Sequence, residues 1–167
     1  MTALSSIVIG NESLLVRCAT LWLERGHSIT AVITRSPEVR AWAEGEGLKV
    51  LAQDTLVADR LAPASVDWLL SIANLSLIPE GLLSVARLGA INFHDGPLPA
   101  YAGLNAPVWA LLNGETRHAV CWHRIAGGID EGDVIEERAF DIAPDETALT
   151  LNTRCWEAAI DSFAALV

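Results

Sequence analysis

Apolar and polar positions along the first half of the chain switch between two periods. Ser5–Gly10 (SSIVIG) is a short β-branched run ended by glycine, the pattern of a buried strand. From Ser13 to Arg25, Leu14, Leu15, Cys18, Ala19, Trp22 and Leu23 return at helical spacing, and Gly26 follows as a stop. Ile29–Thr34 predicts a second strand. Ser36-Pro37 opens a helix to about Glu46, with proline at its first position and Gly47 closing it. Lys49–Ala52, Val66–Ala73 and Ala90–Phe93 predict further strands, and Pro79–Val85 a short helix. Strands and helices alternating through short links predict an α/β domain. Its sheet is open and mostly parallel, with helices on both faces.

The pattern changes after Phe93. A Pro/Gly-rich loop over residues 95–103 (DGPLPAYAG) leads to a helix at about Pro107–Asn113, stopped by Gly114. His118–Arg124 and Val134–Asp141 predict two strands joined by a link too short to hold a helix, so they form an antiparallel pair. Thr147–Val167 places Leu151, Cys155, Trp156, Ala159, Ile160, Phe163 and Val167 on one helical face. That helix ends uncapped on FAALV. It reads as the start of a longer chain whose carboxyl-terminal subdomain is absent, with an exposed apolar patch expected at the terminus.

Composition narrows the picture. With 51% apolar and 19% charged residues the chain is far from a disordered composition. Its longest apolar runs, Val108–Leu112 and Phe163–Val167, are far short of the ~18–20 residues a membrane helix needs. Eleven basic against twenty-one acidic residues give a net charge of −10, with Lys49 the only lysine and no basic cluster. An extended nucleic-acid footprint is therefore not expected. Cys18, Cys121 and Cys155 are odd in number and lack C-x-x-C spacing, which predicts neither disulfides nor zinc but buried thiols in a reducing cytoplasm. The start, MTALSSIVIG, has no basic segment and no long apolar one, so it is not read as a secretory signal.

Three places could carry chemistry. Gly10-Asn11-Glu12-Ser13 is a glycine turn at a helix start, read with Ser13 as its cap. It lacks the G-x-G-x-x-G fingerprint, and Glu12 would repel a pyrophosphate. Asn92 and His94 stand two apart at the carboxyl end of a predicted strand, on one side of it, while Phe93 turns to the core. An amide donor beside an imidazole can stabilise an oxyanion and move a proton. A polar pair at a strand end serves equally well as a solvated edge. Asp130, in the glycine-rich loop Gly127–Gly132, can approach His94 and orient it, or can sit at a solvated hairpin tip. The acidic run around it lacks the alternating oxygen ligands of a calcium loop, and no metal is expected. The remaining histidines, His27, His118 and His123, and the six tryptophans read as structural, with Trp109 and Trp122 flanking the site region and Tyr101 the best aromatic candidate to line it.

Taken together, INFHDGPLPAYAGLNAPVWALLNGE (Ile91–Glu115) and CWHRIAGGIDEGDVI (Cys121–Ile135) resemble the signature of the folate-dependent formyltransferases. His94 and Asp130 stand 36 residues apart, the separation expected of that family's catalytic pair. The wording of HDGPLPAYAGLNAP and ETALTLNTRCWEAAIDSF looks most like the formylation domains that open some nonribosomal peptide or polyketide synthetases. The resemblance implies a Rossmann-like catalytic domain over 1–167, with Asn92, His94 and Asp130 as catalytic triad. It implies formyltetrahydrofolate as donor, its pteridine held between Leu75, Leu77 and Ile78 on one loop and Ala126, Gly127, Gly128 and Ile129 on another. The implied acceptor is a primary amine, first an aminoacyl group on a carrier protein and second a free amine such as an amino sugar or hydroxyornithine. Partners would then be the folate, the amine and downstream domains of a longer polypeptide. Rival readings are a formyltetrahydrofolate hydrolase, a methionyl-tRNA formyltransferase (disfavoured by the charge) and a non-catalytic folate-binding or docking domain.

Overall fold

A computed structural model describes residues 2–167. The strands β1 (Ser5–Ile9), β2 (Ser28–Thr34), β3 (Val50–Ala52), β4 (Val66–Ser71), β5 (Ala86–His94), β6 (Arg117–Arg124) and β7 (Val134–Asp141) form one sheet in the order β3-β2-β1-β4-β5-β6-β7. The helices are α1 (Ser13–Glu24), α2 (Pro37–Gly45), α3 (Glu80–Leu83), α4 (Ala106–Leu112) and α5 (Ala148–Leu166), with one 3-10 turn at Ala58–Arg60 that the sequence pattern does not announce. The sheet is parallel over β1–β4 and antiparallel toward β7, the mixed α/β architecture the alternation predicts. The chain divides into two compact units, up to Ile91 and from Asn92 onward.

In the first unit β1 lies between β2 and β4, and its residues from Ser6 to Ile9 are buried, as a central parallel strand requires. The chain moves outward from β1 to β2 and β3, then returns to the other side of β1 as β4. That reversal is the switch point of a doubly wound sheet. Gly10 follows β1 in close contact with the chain just beyond β4: any side chain there would run into the Ile72 carbonyl. The α1 N-cap is Glu12 and not Ser13, and it makes no side-chain capping bond. The turn is thus built for close strand packing. Ser36 does cap α2, accepting from Val39 N–H at 3.3 Å, with Pro37 in the first turn.

In the second unit β6 is buried from His118 to His123, while β7, at the sheet edge, is largely exposed. Helix α5 packs on both strands. Its buried stripe is Leu151, Cys155, Ala158, Ala159, Ser162 and Phe163, so Trp156 and Ile160 are only half-buried, unlike the face expected from the sequence. The small residues Ala158 and Ser162 replace them in the contact. Ser162 accepts the indole N–H of the buried Trp122 at 2.9 Å, and Phe163 packs on the same ring. At the terminus Phe163 is buried, Ala165 is exposed, and Leu166 and Val167 are half-buried. No helix among the described residues is long and apolar enough to cross a membrane.

Candidate active site

Strand β5 delivers Asn92, Phe93 and His94 in alternation. Phe93 is buried and packs on Trp122 with ring centroids 5.3 Å apart, which anchors the strand end and fixes the opposite orientation of its neighbours. His94 is 5% exposed. The chain then turns tightly at Gly96, where a Cβ would fall 2.5 Å from that of Ala106 and 3.2 Å from His94 Nε2. The turn brings the Tyr101 carbonyl 2.6 Å from His94 Nε2. A carbonyl only accepts, so Nε2 carries the proton of that bond. Nδ1 is left facing Asp130 Oδ2 at 3.5 Å.

Asp130 reaches this position on the β6–β7 loop with φ 56°, a left-handed conformation that aspartate tolerates better than most residues. Gly103 N–H donates to its Oδ2 at 2.9 Å. Gly132 tightens the same loop, since any side chain there would collide with the Arg124 carbonyl.

Sequence reasoning read His118 and His123 as structural, yet both touch this constellation. His123 Nε2 lies 3.1 Å from Asn92 Nδ2 and 3.4 Å from Asp130 Oδ1, while its Nδ1 is 2.9 Å from the Arg124 carbonyl. Burial pushes its pKa down, against the pull of that carbonyl and of Asp130. His118 Nε2 donates to the Asp95 carbonyl at 2.8 Å and so pins the residue that follows His94. Its Nδ1 has no partner, alone among buried side-chain N and O atoms of the described residues, and burial lowers its pKa as well. The Asp95 carboxyl is raised by burial, with His94 opposing. The signal available in the sequence was position: His123 stands one residue before the end of the strand that feeds the Asp130 loop.

Beside Asp130 lies a cleft of about 600 Å³ lined by Leu98, Pro99, Ala102, Ile129, Glu131 and Val134 among others. Of the second expected folate loop, Ile129 lines this cleft, while Ala126, Gly127 and Gly128 are exposed. The loop Leu75–Ile78 belongs to the first unit. The Asn74 side chain braces it by accepting from Ser76 N–H and donating to Ser76 O. It presents Leu75 (82% exposed) and Leu77 (81% exposed), with Ile78 half-buried. Tyr101 contributes its carbonyl, and its phenol is held away by Glu115 and Asn113. Trp122 is fully buried and closed to any ligand, whereas Trp109 is exposed.

An amide, a proton-bearing imidazole and a carboxylate converge here without a nucleophile. The cysteines are all free and buried, and burial pushes the Cys121 thiol up to about 11, too high to supply thiolate at neutral pH. Such a set polarises a carbonyl and takes up a proton with no covalent enzyme intermediate. Fold and site thus define an α/β domain suited to direct acyl-group transfer. More narrowly, the chain belongs to the formyl transferase family, whose model matches residues 7–166. It is similar to the methionyl-tRNA formyltransferase of Geobacter metallireducens, 31% identical over 170 residues that cover 92% of this chain and 55% of the relative. The chain spans about half the length of the curated relatives it matches. Its fold matches glycinamide ribonucleotide transformylase 1 from Symbiobacterium toebii with TM-score 0.87 at 20% identity, covering 98% of this chain and 85% of that one. It also matches WlaRD, a sugar 3N-formyl transferase solved in the presence of dTDP and 5-N-formyl-THF. There the TM-score is 0.79 at 20% identity, covering 99% of this chain and 62% of that one.

Proposed function

We propose that this domain transfers a formyl group from formyltetrahydrofolate to a primary amine, with Asn92, His94 and Asp130 carrying the reaction. The observation that carries the reading is the convergence of these three side chains in a family of formyl transferases. The cleft beside Asp130 fits a folate: its volume lies in the ~300–1,000 Å³ range of small-molecule sites, and it has apolar walls next to a carboxylate. Ile129, Leu98 and Pro99 would hold the apolar faces of a bound pteridine, with Ala126, Gly127 and Gly128 offering backbone groups to its edge. In the first unit, Leu75 and Leu77 are two large apolar side chains held out to solvent on a braced loop, a surface that gains from being covered by an apolar or aromatic group.

The chemistry follows from the atoms. The free donor supplies an activated formyl carbon. As the amine nitrogen bonds to that carbon, negative charge builds on the formyl oxygen, and the Asn92 amide and the Nδ1–H of the protonated His94 ring stabilise it by donation. The Tyr101 carbonyl, holding Nε2–H, fixes the ring and presents Nδ1 to Asp130 and the reacting atoms. Asp130 takes the amine proton, directly or through water. The carbon–nitrogen bond to the folate then breaks, and the proton held by Asp130 passes, directly or through water, to the departing folate nitrogen. The products are an N-formyl amine and tetrahydrofolate.

For the acceptor, the HDGPLPAYAGLNAP wording favours an aminoacyl group on a carrier protein. The charge of −10 and the lack of a basic cluster disfavour tRNA. The similarity to methionyl-tRNA formyltransferases keeps a tRNA-borne amine as the second reading. The test incubates the protein with 10-formyltetrahydrofolate and, separately, aminoacylated carrier proteins, free amino sugars, hydroxyornithine and methionyl-tRNA, read by mass spectrometry. A formyl-for-hydrogen mass gain on a carrier-bound aminoacyl group is expected. Formylation of methionyl-tRNA alone would replace the acceptor, and folate turnover with no amine modified would make the domain a hydrolase.

A further inference from the structure

We infer that His123 is a positioning residue for Asn92: a histidine kept neutral in one tautomer, whose bare Nε2 holds the Asn92 amide in its donating orientation. This rests on the role proposed for Asn92 above. The Arg124 carbonyl, 2.9 Å from His123 Nδ1, can only accept, so that nitrogen carries the ring proton. A neutral ring then leaves a lone pair on Nε2. The group it meets at 3.1 Å is Asn92 Nδ2, a donor, so the two polarities agree. An asparagine amide is otherwise free to flip by half a turn, exchanging donor for acceptor. Against Nε2 only one orientation bonds. One Asn92 N–H is spent on this contact, and the second remains to meet an oxygen that gains negative charge.

The surroundings make the lock stiff. His123 is 2% exposed on the inner strand β6, with Val134 opposite on β7. Two titratable groups face it: Asp130 Oδ1 from the β6–β7 loop at 3.4 Å, and the His94 ring from β5, edge-on at 6.4 Å between centroids. Protonation would turn Nε2 into a donor. It would then bond Asp130 Oδ1 and confront the Asn92 NH₂ with a like group. Asn92 would lose its anchor, and Asp130 would gain a partner that competes for the amine proton. Burial works against that state, as the lowered pKa records. The same ring therefore touches two members of the triad and serves them only while neutral.

The test separates the lock from the reaction. Long-range ¹H–¹⁵N correlation spectra of the wild-type full chain should show His123 neutral and protonated on Nδ1 from pH 6.5 upward, a window where a free histidine is half charged or less. Asn92 amide resonances should be lost or exchange-broadened in His123→Leu and retained in His123→Gln, which keeps an acceptor near the Nε2 position. An Nε2–H tautomer, or Asn92 resonances unmoved in a folded His123→Leu protein, overturns the inference whatever the enzyme does. In the kinetic arm, with 10-formyltetrahydrofolate and the acceptor panel above, His123→Leu should lower kcat about tenfold with KM for the folate little changed. His123→Gln should recover most of that loss and move the acid limb of the pH profile. Equal loss in both variants overturns it. If wild type transfers no formyl group, the functional proposal falls, and the spectra alone decide the lock.

Discussion

His94 sits among groups that leave its ring little freedom: a carbonyl on Nε2, a carboxylate before Nδ1 and Gly96 against its edge. His94→Ala and Asn92→Ala should each lower the formyl-transfer rate about 10²- to 10³-fold, because each removes one donor from the developing oxyanion. Single-turnover rates with unchanged circular dichroism are the check. The Asn92–His94 pair was legible because strand parity alone puts the two on one side of β5. His123 was not, since a lone histidine at a strand end has no spacing partner. The Tyr101 carbonyl could not have been read at all, because every residue carries one and only the fold aims it.

Among the elements, the β6–β7 hairpin sets the site and α5 sets the hairpin. Gly132→Ala places a methyl group on the Arg124 carbonyl. It should displace the loop carrying Asp130 and lower activity more than stability, seen as a kcat loss exceeding any drop in Tm. Ser162→Ala removes the acceptor of the buried Trp122 N–H. Leaving that donor unsatisfied should cost about 1–3 kcal/mol in urea unfolding. The amphipathic period located α5, but it could not choose between large and small residues at the edges of the stripe. The Trp122 indole made that choice by seeking a hydroxyl, and it turned Ser162 inward in place of Ile160. Helix ends were legible where punctuation is chemical, as at Ser36-Pro37. They were misread at Glu12-Ser13, where the glycine before them answers to strand packing.

For the molecule as a whole, buried neutral histidines tie stability to pH. An unfolded histidine takes a proton near pH 6.5, whereas burial holds His118 and His123 neutral to lower pH in the folded chain. Below that value the unfolded chain binds more protons than the folded one. Stability from this source is therefore full above about pH 6.5 and lost as the pH falls through the folded values. Thermal melts should show Tm falling on acidification below this point, more shallowly in His118→Phe, provided that variant folds. Asp67 acts in the same direction at lower pH: the Ser5 N–H, its hydroxyl and Arg87 hold its carboxyl below the usual range, and that support is lost once it protonates. Asn92, His94 and Asp130 are proposed to move a formyl group without a covalent intermediate. The most direct test is a single turnover with [¹⁴C-formyl]tetrahydrofolate, wild type against His94→Ala, quenched and separated into protein, folate and amine fractions. Label should pass from folate to amine with none on protein, and transfer by the variant should be at least about 10²-fold slower. Label trapped on the protein, or transfer by His94→Ala at the wild-type rate, would contradict this mechanism.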